Sequence, residues 1–521
     1  MKRIYFTLAI LFLVIAGMAY LYFSGLNAVS GTSDTSLKIA TQRAALVYRI
    51  QNDKSILDIL DGQDLLYQLI GEEKTELLKT VRSTLLSDPE VGKALQHKII
   101  YVSILPGAQH TLNFLVCAQL NSAAEQQAVQ AFIRKKKDNT SATNSFSKLS
   151  APGHPALYIG LDHDVLLLSD AAAVFKDIGN TRDRENNPFT AFIQGNNKLT
   201  KNSLANLYVN YSAVPDLLKA ITPNTSKDEF EELRGLNAYT HLSYNFSKTN
   251  IFFNGETQLI DSSGYIGLFL NTSPQKLQIT NILPQQTASY TLYNVDNFKT
   301  WSIRLKKWRS SQTETRAISG RVESQLVKYH ISPDDTFTKY TSNQFITFQL
   351  QQGQKLGAIS LSNGDKLNQL LLDLSNDVDG TIRQFKEDDM LFYYFGTPFK
   401  KFRRPYYIIK DNYLVCSNYA SNLQEFLNDY QNNKLLVNEA RYTTLMDQLP
   451  NTTSILYYIN KDRASAQISQ LIYPNFMKHI RNNKGLNAFD AFVFQISANR
   501  ESFQTNILMP SKDLKLSKDS L

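Results

Sequence analysis

Two hydrophobic patterns divide the chain. From Ile4 to Phe23 every residue is uncharged. Twenty helical residues at ~1.5 Å each span ~30 Å, the thickness of a bilayer core. Lys2 and Arg3 precede the run, and no Lys or Arg follows until Lys38. This predicts a transmembrane signal anchor over residues 1–24, with a short cytoplasmic stub and the remaining chain exported. A cleaved signal peptide is the rival reading, but its apolar region is usually shorter. Residues 25–38 are small and polar and read as a linker. Beyond them the pattern changes. Short alternating runs of strand type, punctuated by Gly, Pro, Asn, Asp and Ser, take turns with runs of helical period.

These runs come twice. GLNA stands at Gly235–Ala238 and again at Gly485–Ala488. Upstream, Tyr208 and Asn210 match Tyr458 and Asn460 at the same offset of 250 residues, and Pro155 matches Pro405. Ser169 and Ser417 stand 248 apart, each closing a strand–turn–strand segment. The starts ALVYRIQN (45–52) and ASYTLYNV (288–295) also correspond. The expected fold is α+β: an N-terminal transmembrane helix, then two tandem, internally repeated lobes of antiparallel sheet faced by helices. The first lobe covers 39–275, the second 276–510, and 511–521 is a polar tail.

An LPQQTASY start (283–290), a Y-I-x-x-D-x-x-L-x-x-S hairpin (407–417, with a similar segment at 158–169) and an L-Y-x-N strand (207–210, with YYIN at 457–460) follow the predicted anchor. In these features the chain resembles a family of functionally uncharacterised, membrane-anchored bacterial exported proteins. The resemblance implies a paired-unit fold and an envelope location, and brings no catalytic residue.

Composition narrows the picture little. The chain has 521 residues, 43% hydrophobic and 20% charged, enough for sizeable cores. Residues 1–282 hold 26 of the 55 basic and 25 of the 47 acidic side chains, so the net charge of +8 lies mostly in the second part. Such modest basicity permits an anionic partner without demanding one. Cys117 and Cys416 sit in apolar, strand-like runs and read as buried thiols, although an oxidising compartment would allow them to pair. N-x-S/T triplets such as Asn139–Ser141 arise by chance in a chain rich in Asn and Ser.

No nucleophile elbow, HExxH, P-loop or strand-placed dinucleotide motif is present. The seven histidines are scattered, and Asp162-His163-Asp164 reads as a turn. The acidic runs Asp334-Asp335 and Lys386–Asp389 lack EF-hand spacing. Neither a metal nor a cofactor is therefore expected. Asn210 and Asn460 read as strand-end caps or as a shared ligand-contacting position. Two basic–aromatic clusters are candidates for an anionic ligand. One comprises Lys400, Lys401, Arg403, Arg404, Tyr406 and Tyr407. The other comprises Arg304, Lys306, Lys307 and Arg309, interleaved with Trp301 and Trp308. Cations interleaved with aromatics suit phosphate or carboxylate groups.

The leading expectation is a non-enzymatic binding or scaffold protein of the bacterial envelope. It would be held in the inner membrane through Ile4–Phe23 with its bulk periplasmic or extracellular. Its partners would be an envelope protein, a lipid or another anionic ligand, and not nucleic acid. An envelope hydrolase without a local motif, or a carrier of a lipid or other apolar ligand, is the alternative.

Overall fold

The structure is a computed structural model that describes residues 34–54, 58–59, 62–136, 146–149, 157–178, 187–197, 204–223, 235–332 and 336–513. The first part contributes β1 (Leu46–Gln51), β2 (Ile99–Pro106), β3 (Leu112–Gln119), β4 (Phe146–Leu149), β5 (Leu157–Asp162), β6 (Val165–Ser169), β7 (Ala205–Asn210), β8 (Ala238–Phe246) and β9 (Asn250–Leu259). After β10 (Gln275–Lys276), the second part contributes β11 (Thr287–Asn294), β12 (Thr341–Leu350), β13 (Lys355–Leu361), β14 (Ser375–Asp377), β15 (Arg383–Phe385), β16 (Tyr406–Lys410), β17 (Tyr413–Ser417), β18 (Thr452–Thr453), β19 (Ile455–Asn460), β20 (Ala491–Asn499) and β21 (Ser502–Pro510).

Nineteen of these strands form one antiparallel sheet, while β10 and β18 pair separately. Across the sheet the order is β4-β5-β6-β3-β2-β1-β7-β8-β9, then β21-β20-β19-β11-β12-β13-β17-β16-β15-β14. The two halves share more than their order. In the first, Tyr158, Ser169, Leu115, Ser103, Val47, Tyr208 and His241 are successive ladder partners. In the second, the same walk gives Tyr406, Ser417, Leu356, Phe348, Tyr290, Tyr458 and Val493. Even a side-chain bond recurs. Ser169 Oγ donates to the Phe114 carbonyl at 2.7 Å, and Ser417 Oγ donates to the Lys355 carbonyl at 2.8 Å.

This arrangement corrects the expectation of a transmembrane helix followed by two lobes. β9 and β21, the last strand of each half, pair along their whole length from Gln258↔Ser502 to Asn250↔Pro510. Each would otherwise present a free edge of unpaired N–H and C=O groups. Pairing the two edges satisfies both and merges the halves into one sheet. Among the described residues no helix is long and apolar enough to cross a membrane. The predicted span Ile4–Phe23 lies outside the described residues, as do Asn139–Ser141, Pro155 and positions 514–521. Asp34 caps the helix Thr35–Thr41 by accepting from Leu37 N at 3.0 Å, so residues 35–38 are helical.

Both faces of the sheet are covered. On one face, Val47, Leu115 and Leu167 lie beneath the helices Thr35–Thr41 and Pro188–Gly195. On that face of the second half, Tyr290, Phe348 and Leu456 lie beneath the helices Ala420–Gln431 and Ala440–Met446. On the opposite face, the helix Phe298–Ser311 turns Phe298, Trp301, Leu305 and Trp308 onto Tyr293 and Phe345. Its apolar spacing follows the helical period, and Asn297 starts it by accepting from Thr300 N at 3.0 Å. Between the two helical layers on the first face, the seam is polar. His241, Glu256, Gln504 and Ser497 are consecutive ladder partners there, as are Ser243, Asn254, Asn506 and Gln495.

Candidate functional site

The last residue of β19, Asn460, turns the chain by accepting from Arg463 N at 3.0 Å. Beyond it lies a cavity of about 490 Å³, within the ~300–1,000 Å³ range of small-molecule sites. Tyr442 and Tyr458 form its aromatic wall, their rings edge to face at 5.4 Å. Tyr442 is fixed by a 2.8 Å bond between its hydroxyl and that of Tyr290. Five charged side chains line the rest: Glu439, Arg441, Asp462, Arg463 and Asp490.

These charges are unequally satisfied. Arg463 Nη2 donates to Glu439, while its Nη1 is buried and has no hydrogen-bond partner among the described residues. Arg441 stands 3.6 Å from Asp490, too far for a hydrogen bond. Burial pushes the Asp490 carboxyl above the ordinary carboxylate range, and nearby Asp462 adds to this against the pull of Arg441, Lys512 and Arg463. Asp462 behaves oppositely. Burial pushes it up, but the hydrogen bond and charge of Lys512, then Lys461, outweigh this and hold it below its usual value. Lys512 Nζ reaches Asp462 at 2.8 Å. Lys461 is buried, which lowers its ammonium, and donates to Asn487 and Asp462. The cleft therefore offers an anion-accepting side at Arg441 and Arg463 and a donor-accepting side at Asp490.

The register of the sheet supplies an internal control. Tyr208 and Tyr458 occupy equivalent ladder positions, so Lys461, Asp462 and Arg463 correspond to Tyr211, Ser212 and Ala213. Asn460 pairs with Ala491 and Asn210 with Tyr239, so Asp490 corresponds to Ala238. A turn from the equivalent ladder position is thus built in the first half, one residue shorter before its helix, without any of these charges. Asn210 also caps its turn, accepting from Ser212 N two residues on at 3.1 Å, where Asn460 accepts from Arg463 N three residues on.

The sequence-predicted clusters are placed differently. Lys400, Lys401, Arg403 and Arg404 are all exposed. Arg403 Nε and Arg404 Nε both bind the Asp388 carboxylate, at 3.0 and 2.8 Å. Tyr406 is half-buried against the apolar core, and Tyr407 is fully buried with its hydroxyl 2.8 Å from Ser375 Oγ. In the second cluster, Arg304 donates to the Leu270 carbonyl at 2.9 Å. Arg309 is buried, donates to the Tyr393 carbonyl and stacks 3.7 Å from the Tyr393 ring centre. Only Lys306 and Lys307 of that cluster face outward. Asp162-His163-Asp164 forms the β5–β6 turn, His163 with φ +54°, as Asp411 and Asn412 do between β16 and β17. Cys117 and Cys416 are both buried, on β3 and β17. An apolar cavity between Tyr211, Ile266, Phe494 and Phe503 holds about 20 Å³, room for about one water.

The cleft residues are missed by a motif search because they come from three segments. The contrast of NKDR (460–463) with NYSA (210–213) at a constant offset is the signal that finds them.

The chain matches no known family profile, and no curated protein is similar to it. A solved structure titled "Structure of crystal form III of TP0453" aligns with 46% of this chain and 89% of that one, at 9% identity and a TM-score of 0.18. A likeness that low carries no argument about fold or function.

Proposed function

We propose that this is a non-enzymatic binding protein. Its second-half cleft takes a small ligand with an anionic group for Arg441 and Arg463 and a donating, cationic group for Asp490. One observation carries the reading. The fold turns the chain at the equivalent ladder position of its first half with Tyr211, Ser212, Ala213 and Ala238, so leaving the sheet there does not require the charges at Lys461, Asp462, Arg463 and Asp490. Partly buried charges left loosely paired are costly. The unpartnered Arg463 Nη1 and the 3.6 Å gap between Arg441 and Asp490 support a ligand that completes them. Tyr442 and Tyr458 supply an apolar wall. An address outside the cytoplasm is supported by the sequence of residues 2–23 alone.

The test is calorimetric titration of the chain with free amino acids and short peptides of varied side chain. Saturable binding by some of them is expected, weakened at least tenfold by Arg463→Ala and by Asp490→Ala. Both substitutions install the first half's residue; Asp490→Ala should leave the melting temperature nearly unchanged, while Arg463→Ala, which strands the mostly buried Glu439, should lower it without unfolding the chain. If no compound with both charges binds, or if both variants bind like wild type, the reading fails.

A further inference from the structure

A second internal comparison runs the other way, and it concerns the first half. Arg49 on β1 is 8% exposed. Among the described residues no carboxylate lies within ion-pairing distance of it, and its Nε has no hydrogen-bond partner. A buried cation without a counter-charge is expensive. Its ladder partners are Tyr101 on β2 and Asn206 on β7, both buried. Tyr208, one pair along, faces His241 on β8, and the two rings stack at 5.1 Å. Arg49 lies close enough to the Tyr101 hydroxyl to hydrogen-bond it, and its charge also acts on the Tyr208 hydroxyl and the His241 ring, so these groups gather around it. The Tyr208 hydroxyl donates to the Asn196 carbonyl at 3.0 Å, so Tyr208 contributes its ring to the site. His241 Nε2 is likewise buried and without a partner.

In the second half the equivalent positions are Leu292, Ile346, Leu456 and Val493, all buried in one apolar core. The sheet therefore closes with aliphatic side chains where the first half has Arg49, Tyr101, Asn206 and His241. Glu256, the next ladder partner of His241, is exposed where its own counterpart Leu508 is buried. Access is thus along the polar seam, over His241. Asp34 does not neutralise Arg49. Its Oδ1 accepts from Ser36 Oγ and Leu37 N, and its Oδ2 accepts from the Tyr101 hydroxyl at 2.7 Å.

We infer that Arg49, with His241 and Tyr208 beside it, forms an oxyanion-binding site that takes a carboxylate or phosphate group entering over the β8–β9 seam. A guanidinium offers the forked donors both groups use, and a histidine at its rim adds a further donor. This site is separate from the charged cleft and does not depend on it.

The experiment titrates the full chain with inorganic phosphate and with acetate, in a chloride-free buffer of low ionic strength, by calorimetry and melting temperature. The variants are Arg49→Leu and His241→Val, which copy Leu292 and Val493. Saturable binding of at least one anion is expected, lost at least tenfold in Arg49→Leu and weakened in His241→Val. Phosphate alone binding would identify a phosphoryl ligand, acetate alone a carboxylate, and both a site that reads only charge and fork geometry. Arg49→Leu should fold, with a melting temperature equal to or above wild type. If it fails to fold, the site is structural and the inference is overturned. It is equally overturned if neither anion binds saturably, or if the variants bind like wild type.

Discussion

Asn254 and Asn506 face each other across the β9–β21 ladder, and each holds in its own half the position that the other holds opposite. A local twofold axis passes between them. The junction is an isologous contact made within one chain. Residues 34–275 expressed alone would leave β9 as an open edge of ten residues. That fragment is expected to self-associate through β9, as sedimentation analysis would report. A folded, monomeric fragment at high concentration would show that the edge does not drive the junction.

Thr257 ties three strands on the other face of the seam. Its hydroxyl lies 2.6 Å from that of Thr240 and 2.7 Å from that of Thr505, and all three residues are buried. Thr257→Val keeps the shape and removes the shared hydroxyl, leaving two buried ones short of a partner. A loss of about 1–3 kcal/mol is expected in denaturant unfolding. An unchanged midpoint would mean that the flanking hydroxyls find other partners.

His479 on the helix Pro474–Arg481 joins the second half to the first. Its Nε2 lies 3.0 Å from the Leu69 carbonyl, with Glu72 held alongside by Asn482 and Lys484, each at 3.4 Å. A Cβ at either Gly71 or Gly485 would stand 2.7 Å from its Nδ1, and Gly71 also has φ +93°. Gly71→Ala should therefore destabilise the protein through both clash and backbone strain. Burial lowers the His479 imidazolium below its ordinary 6.5, against the Leu69 carbonyl, which raises it. The unfolded chain thus binds the extra proton more readily. This contribution to stability is complete above pH 6.5 and is lost as the pH falls below it. His479→Gln keeps a donor for Leu69 and should flatten that part of the profile, measured as unfolding midpoint against pH. Burial lowers His241 too, chiefly, with Glu256 opposing and Arg49 assisting, so some acid sensitivity of the same sign should persist. An unaltered profile in His479→Gln would remove that residue from the account.

The two basic clusters differ in kind. Arg309 is buried, against the Tyr393 ring and carbonyl, and burial lowers its guanidinium despite the opposing influence of Tyr393 and Glu323. Arg309→Ala should cost about 2 kcal/mol or more, because it removes a desolvated cation–π contact and a charged hydrogen bond. Lys400→Ala and Lys401→Ala, at exposed positions, should each stay within about 0.5 kcal/mol of wild type. Equal effects in thermal unfolding would contradict this division.

Much of each half can be read along the chain, because strand and helix periods leave their marks locally. Tyr208 and Tyr458, or Ser169 and Ser417, fall at matching ladder positions. The β9–β21 junction cannot be read this way. Alternation tells which face of a strand is buried, but not which neighbour its edge will meet. Glu256, Gln258 and Gln504 look like ordinary solvent-facing positions. The basic clusters mislead for a related reason. Neighbours in sequence part company once a helix turns Arg309 inward and a strand sends Tyr407 to the core. The cleft fails the converse test, since Glu439, Arg463 and Asp490 meet only after folding.

The axis between Asn254 and Asn506 has an evolutionary consequence. Two identical chains joined along such an edge must carry every substitution twice, once in each copy. Joined in one polypeptide, the copies escape that constraint. One can keep Leu292 and Val493 in an apolar core while the other acquires Arg49 and His241. One can keep Ala213 while the other acquires Arg463. Fusion of an ancestral symmetric dimer would thus leave each half as the folding template against which the other's departures become visible.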